Sequence, residues 1–430
     1  MRKYSLVFVL QLLLHFVTSG LVRRCSINEF ADTDKELQVS IIVSPVPKDN
    51  VARRLILSWE NASPLSGDWI GLFNEEPTDL SIPLFVVQPH NPSGWAETTS
   101  HETASYSQDL GYSKKCLGFW AAYKSAGNST LASSCLHTEP TWMSDLKTEL
   151  SPLLLRQIFL PGTHDAGAYD RYNSSSANNL IVKYTITQEE DILSQLVNGV
   201  RYLDIRAAYY NDRNDVWWVN HGAVPIHPLQ TVFDDVQTFL QNTNEIVILD
   251  FHEFPVGFNS GLAIHEKLLE YLEREFGDIA ALSSLTWNAQ LGEIWSTNRR
   301  LLLTYNNNQM VERSDILWPA VAHQWGDVHT LDDLYTYLSG VVNKHPNDRG
   351  WSAMAELTPT ILQIITDELG GLRRMAGMVN ENVTAWYRGT WGQTVNIVSA
   401  DFFRGTGLVE AAIDWNHIRA QQLTCNIPQQ

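Results

Sequence analysis

At 430 residues the chain is too long for one ordinary domain and comfortable for two. Its 48 acidic against 30 basic residues leave a net charge of −18, which argues against nucleic acid, because phosphate binding needs clustered Lys and Arg. The same balance argues against adhesion to anionic membranes by charge alone, so lipid contact would fall to apolar and aromatic groups, among them 15 Trp.

The N-terminus reads Met1-Arg2-Lys3, then an apolar run from Leu6 to Val17, then Thr18-Ser19-Gly20. A basic start, a short apolar centre and a small-residue exit predict a signal peptide over 1–20, cleaved near Gly20 or soon after. The run is shorter than the roughly 20 residues of a spanning helix. No later run is as apolar, and the tail lacks a lipid-anchor signal, so a secreted, extracellular, soluble product is the expectation. Asn61, Asn128, Asn173 and Asn382 head glycosylation sequons, whereas Asn91 precedes proline and does not count. Cys25, Cys116, Cys135 and Cys425 predict two disulfides, with three pairings possible. No CxxC is present, which speaks against zinc and redox roles for these cysteines.

Residues 25–140 read as all-β. Leu37–Val43 and Arg54–Trp59 alternate apolar with polar, and Asp68–Phe73 and Leu117–Tyr123 add aromatic strands between turn residues. Such a stretch predicts a sandwich. Its run Ser66-Gly67-Asp68-Trp69-Ile70-Gly71-Leu72-Phe73 and the later Gly118-Phe119-Trp120 resemble the small immunoglobulin-like domain found beside some phosphatases and lipid-modifying enzymes.

After a short linker, Pro140–Leu150, strands and helices alternate. Strands are predicted at Leu153–Leu160, Val200–Arg206, Asp215–Asn220, Glu245–Phe251, Arg300–Tyr305 and Val395–Phe403. Helices are predicted at Gln188–Val197, His227–Gln241, Gly261–Phe276, Leu331–Leu338 and Pro359–Val379. Glu245–Phe251 is nearly continuous in β-branched residues, as in a strand buried on both faces. Alternation of this kind over 145–420 predicts an α/β fold, a TIM-like (β/α) barrel behind the smaller sandwich.

Polar groups stand at the strand ends: His164 and Asp165 after Pro161-Gly162-Thr163, Asp204 and Arg206 two apart on one face, His221 after Asn220, Asp250, His252 and Glu253, and Asp401. A salt-bridge network would account for the Asp and Arg but needs no pair of histidines. Two imidazoles, one giving and one taking a proton, with an arginine to offset charge on phosphate oxygens, are the equipment of phosphoryl transfer. Hydrolysis through a metal is the rival, since His and Asp are also ligands, but no tight ligand cluster stands out.

Leu160–Asp165, Gly199–Arg206, Asn220-His221-Gly222, Glu245–Phe251 and Val398–Phe402 come in the order and spacing of the phosphatidylinositol-specific phospholipase C X domain, and the chain resembles the small proteins that carry this domain without signalling modules. The resemblance implies a phosphoric diester hydrolase that cleaves phosphatidylinositol or an inositol glycolipid. By it, His164 is the general base on the inositol 2-hydroxyl and His221 the general acid for the diacylglycerol oxygen. Arg206 matches the arginine of bacterial members where animal signalling members hold calcium, so no metal and no cofactor is expected. Asp204 would orient His221, Asp165 would hydrogen-bond the phosphate or leaving group, and Asp401 would steady His164. Ala166 stands where the family often has Ser. His252, Glu253, Tyr305, Trp325 and Arg404 are candidate substrate contacts. The expected partners are the lipid substrate and a transient membrane surface, with no nucleic acid. The alternatives are an inactive protein that binds a lipid or glycan headgroup, and a metal-dependent glycerophosphodiesterase, whose usual His-Arg-Gly start is missing.

Overall fold

The computed structural model describes residues 36–103, 110–259 and 261–425. The predicted signal peptide and Cys25 lie outside them, as does the side chain of Cys425. Seven strands come first: β1 (Gln38–Val43), β2 (Arg54–Glu60), β3 (Trp69–Phe73), β4 (Phe85–Val87), β5 (Gly94–His101), β6 (Cys116–Lys124) and β7 (Thr130–His137). They make two antiparallel sheets, β1-β2-β5 and β4-β3-β6-β7. Alternate residues of β1 and β2 (Val39, Ile41, Val43, Leu55, Leu57, Trp59) share one apolar core with Ile70, Leu72, Ala121, Tyr123 and Leu136 of the other sheet. That alternation is why these segments are strands, each with one buried face. A disulfide between Cys116 and Cys135 ties β6 to β7, with Cα atoms 5.6 Å apart.

Eight parallel strands follow in one curled sheet: β8 (Leu160–Thr163), β9 (Tyr202–Tyr209), β12 (Val247–Glu253), β13 (Leu301–Tyr305), β14 (Leu317–Pro319), β15 (Ala322–Gln324), β16 (Trp351–Met354) and β17 (Ile397–Ala400). β17 pairs with β8 and so brings the end of the chain beside its beginning. Among the described residues nothing pairs β14 with β15, which only two residues join. The arrangement fits a TIM-like barrel. An antiparallel hairpin, β10 (Trp217–His221) with β11 (Val224–Pro228), hangs from β9.

The structure departs from the sequence pattern in several places. The strand expected over Leu153–Leu160 is a run of turns as far as Phe159, and the strand itself is Leu160–Thr163; the helix expected from Gln188 starts at Ile192. The presumed linker contains two short helices, Trp142–Asp145 and Lys147–Leu150, whose Trp142 and Leu150 are buried against the barrel's lower end. His227 and Pro228 belong to β11, and the helix starts at Leu229. The long helix expected over Pro359–Val379 is two helices, Ile361–Thr366 and Leu372–Arg388. Asp367 ends the first helix in a left-handed conformation (φ 52°), and Gly370 (φ 73°) and Gly371 (φ 95°) then turn the chain through a region closed to most side chains into the second. Finally, β14, β15 and β16 have three or four residues each and carry too little periodicity to be read as strands.

The two antiparallel sheets are bolted to the barrel by ion pairs. Arg53 donates to Glu102 (2.7 Å) and Glu190 (2.8 Å), and Arg404 donates to Glu102 at 3.0 Å. Arg373 meets Glu189 at 2.5 Å. Arg53, Glu102, Glu189 and Glu190 are all buried. Removing one partner of such a network strands the opposite charges. Arg53→Ala should therefore lower the unfolding free energy by about 3–5 kcal/mol, read by denaturant titration; a change below about 1 kcal/mol would mean that the glutamates find water instead.

Candidate active site

β8 is buried throughout and ends at Thr163, with His164 next. Gly162 is required there, because a Cβ would lie 2.7 Å from the Tyr202 ring and 2.9 Å from Ser399 Oγ. The loop after it is fixed by its backbone. Asp204 on β9 accepts from the Asp165 amide at 3.0 Å, and the Gln188 side chain donates to the carbonyls of His164 (3.1 Å) and Ala400 (2.9 Å). Asp165 takes a left-handed conformation, φ 37°.

His164 is held at both ring nitrogens. Its Nδ1 lies 2.8 Å from Asp401 Oδ1, and Arg206 Nη2 donates to Nε2 at 2.6 Å. A guanidinium has no lone pair, so this contact requires the lone pair on Nε2 and puts the ring proton on Nδ1, toward Asp401. Arg206 also lies 3.5 Å from Asp165, 3.7 Å from Asp204 and 3.6 Å from Glu253. His221 stands edge-on to His164, with ring centroids 6.5 Å apart. Its Nδ1 donates to the carbonyl of Thr185 at 2.8 Å, leaving Nε2 with a lone pair. Burial, and then the charge of Arg206, push the His221 imidazole down to about 4.

Burial lowers the His164 imidazole, but the carboxylates of Glu356 and Asp401 outweigh it and lift it to about 9. Glu356 is itself buried, with neither carboxyl oxygen hydrogen-bonded, and burial lifts it from 4.5 to about 7. One proton thus has two places to sit. On His164 it leaves Glu356 ionised and unpaired; on Glu356 it leaves His164 neutral, as the Arg206 contact requires. The geometry selects the second state, in which His164 Nε2 is ready to act as a base. His164, Arg206, His221, Glu356 and Asp401 line a cavity of about 450 Å³, together with His252, Glu253, His323, Trp325 and Tyr184.

No protein-family model matches the chain. Curated proteins do. PI-PLC X domain-containing protein 1 of Mus musculus is 25% identical over 67% of this chain and 89% of its own length. The Homo sapiens protein 1 is 24% identical over 68% and 97%, and the Danio rerio protein 3 is 24% identical over 64% and 92%. The chain is a relative of the PI-PLC X domain-containing proteins. Among solved structures, a phosphatidylinositol-specific phospholipase C from Listeria monocytogenes overlaps 64% of this chain and 98% of its own, at 19% identity and a TM-score of 0.49.

Several residues expected at the site have other partners. Asp204 does not touch His221; its carboxylate is engaged by the Asp165 amide and faces Arg206. Tyr305 is fully buried behind the sheet, its hydroxyl 2.7 Å from His265 Nδ1. Arg404 is taken up by Glu102 at the junction with the antiparallel sheets. Trp325 does reach the cavity, half-exposed, with its indole N–H on Thr358 Oγ1 at 2.9 Å. Glu356, His323 and Tyr184 were not anticipated. Glu356 follows the short strand β16 and His323 lies within the short strand β15, neither of which the sequence pattern discloses. Asn61, Asn128 and Asn173 are exposed and Asn382 half-buried.

A carboxyl raised from 4.5 to about 7 binds its proton more tightly when folded. Its contribution to stability is complete below about 4.5 and is lost as pH rises through about 7. The groups it faces are His164, Asp401, Arg206 and Asp204. Glu356→Gln should accordingly flatten that part of the stability profile and leave the variant the more stable above about pH 7, by denaturant unfolding across pH. Parallel profiles for parent and variant would reject the assignment.

Proposed function

We propose that this protein is a phosphoric diester hydrolase of the phospholipase C type, acting on phosphatidylinositol or an inositol glycolipid. The observation that carries the reading is His164 clamped between Asp401 and Arg206, with His221 across the cavity. In this reaction His164 Nε2 takes the proton of the inositol 2-hydroxyl while that oxygen attacks its neighbouring phosphorus. The bond from phosphorus to the diacylglycerol oxygen breaks, and that oxygen leaves with a proton from His221. Asp401 holds the Nδ1 proton and stabilises the imidazolium that forms. Arg206 then turns its donors to the phosphate, so that this step needs no calcium beside His164.

His221 must carry a proton to serve as acid, and burial and then Arg206 push it down to about 4. Arg206 is the charge that depresses it beyond the effect of burial. An anionic phosphodiester on Arg206 offsets that charge and raises His221, so substrate arms its own acid.

Access from a lipid surface is supported by the cavity's rim. The helix Ile361–Thr366 exposes Ile361 (78%), Leu362 (69%) and Ile365 (68%), next to Ile181 and to the cavity residues Pro359, Ile364 and Tyr184. An apolar rim lets a net-acidic chain meet lipid without relying on basic residues. We further read residues 25–140 as an immunoglobulin-like sandwich, residues 145–420 as the X domain, and the chain as a secreted glycoprotein, supported by the N-terminal apolar run, the Cys116–Cys135 disulfide and the exposed sequons.

Phosphatidylinositol incubated with the purified protein should yield inositol cyclic phosphate and diacylglycerol, at a rate that added calcium does not raise. His164→Ala should cut that rate by at least ~10²–10⁴-fold. Headgroup binding with no turnover would instead support the non-catalytic alternative. Replacing Ile361 and Leu362 by Asp should weaken sedimentation with phosphatidylcholine–phosphatidylinositol vesicles while sparing hydrolysis of a water-soluble inositol phosphodiester. Equal loss on both substrates would remove the rim from the lipid step.

A further inference from the structure

A second cluster opens on the same cavity and has no part in the chemistry above. Asp250 on β12, beside Asp204 of β9 in register, is fully buried. Its Oδ2 lies 3.3 Å from His252 Nδ1 and 3.2 Å from His323 Nε2. The two imidazoles are stacked face to face, centroids 3.3 Å apart and planes within 5°. His252 comes from the end of β12 and His323 from β15, so two elements distant in sequence aim ring nitrogens at one carboxylate oxygen.

Hydrogen bonding among these groups leaves one buried ring nitrogen without a partner. His252 Nδ1 is buried and has no hydrogen-bond partner despite its closeness to the carboxylate. The Tyr202 hydroxyl donates to Asp250 Oδ2 at 2.6 Å and lies 2.7 Å from His323 Nε2, which is itself 3.2 Å from the same carboxylate oxygen. Thr304 already donates to the other carboxylate oxygen at 2.5 Å.

We propose that Asp250, His252 and His323 hold a divalent transition-metal ion of the zinc class. Their ligand atoms lie within 4.8 Å of one another. Ligand atoms each ~2.0–2.2 Å from a tetrahedral ion are separated by roughly 3.3–3.5 Å, close to the 3.3 and 3.2 Å that the carboxylate makes with the two rings. Because each imidazole lone pair lies in its ring plane, the ion would turn the two rings out of their parallel stack. Two imidazoles and one carboxylate form the donor set of open transition-metal sites rather than of calcium sites, which take oxygen. Thr304 and Tyr202 bond the ligating carboxylate and fix its orientation, as outer-shell groups do. His252 and His323 line the cavity, so the remaining coordination position faces it and takes an oxygen ligand: water in the empty site, a hydroxyl or phosphate oxygen of a bound molecule.

The proposal does not rest on the phospholipase reading, because occupancy is measured without substrate. The purified full chain, desalted into metal-free buffer, is analysed for metal by mass spectrometry and then titrated with zinc and, separately, cobalt(II). One ion per chain is expected, with cobalt giving the visible d–d absorption of a low-coordinate nitrogen–oxygen site. His252→Gln and His323→Gln should each weaken binding by more than the ~10–100-fold that loss of an outer-shell partner costs. His417→Gln, at an exposed histidine paired with Glu149, should leave it unchanged. If the parent binds no ion, or if both cluster variants bind as it does, the proposal fails. The cobalt spectrum of the parent decides the matter should either variant not fold.

Discussion

Everything at the cavity depends on one imidazole held between a carboxylate and a guanidinium that come from different strands. His164 follows β8, Asp401 follows β17 and Arg206 lies within β9, so the contacts at 2.8 and 2.6 Å exist only because β17, β8 and β9 are neighbours in register. The register is set by features that a one-residue slip would destroy: Gly162 admits the Tyr202 ring and Ser399, and Asp204 collects the Asp165 amide. The glycine beside the site is thus a packing requirement whose consequence is chemical. It allows the sheet to close tightly enough for Arg206 to reach Nε2.

The parts legible in the sequence are those where local pattern and site coincide. His164, Arg206, Asp401 and the Asp204–Arg206 pair stand at or near the ends of strands rich in β-branched or apolar residues, and alternation assigns their faces. Where the pattern is short, the reading stops. β15 is Ala322-His323-Gln324 and β16 is Trp351-Ser352-Ala353-Met354, too brief to announce themselves, so His323 and Glu356 went unseen. Two candidates failed on parity and on competition. Thr304 faces Asp250 inside the barrel, and Tyr305, one residue on, must point to the other face, where His265 receives it. Arg404 lies beyond β17 but is claimed by Glu102, a partner from the other part of the chain that no local pattern reveals.

The same competition explains the antiparallel sheets' hold on the barrel. Arg53 and Arg404 share Glu102, while Glu189 and Glu190 immediately precede the helix Ile192–Val197, capped by Asp191. Gln188, next to those glutamates, is the side chain that secures the backbone of His164. The ion pairs at the junction and the loop after β8 therefore share one stretch of chain, and whatever loosens the first reaches the second through three residues.

A chain of net charge −18 is an awkward host for an anionic headgroup. The awkwardness shrinks once burial is counted. Burial lifts Asp165 to about 8 and Glu356 to about 7, so both can stay neutral near physiological pH where their number alone suggests two negative charges. Arg206, with Asp204 below its ordinary value because of that guanidinium despite burial, keeps its positive end toward the cavity. Two of the mouth's carboxyls are thereby discharged, while Asp204 and Glu253 still face Arg206. An approaching anion has its surface repulsion screened within a Debye length of about 8 Å, and inside it meets Arg206, two of whose carboxyl neighbours, Asp165 and Glu356, burial helps to keep neutral.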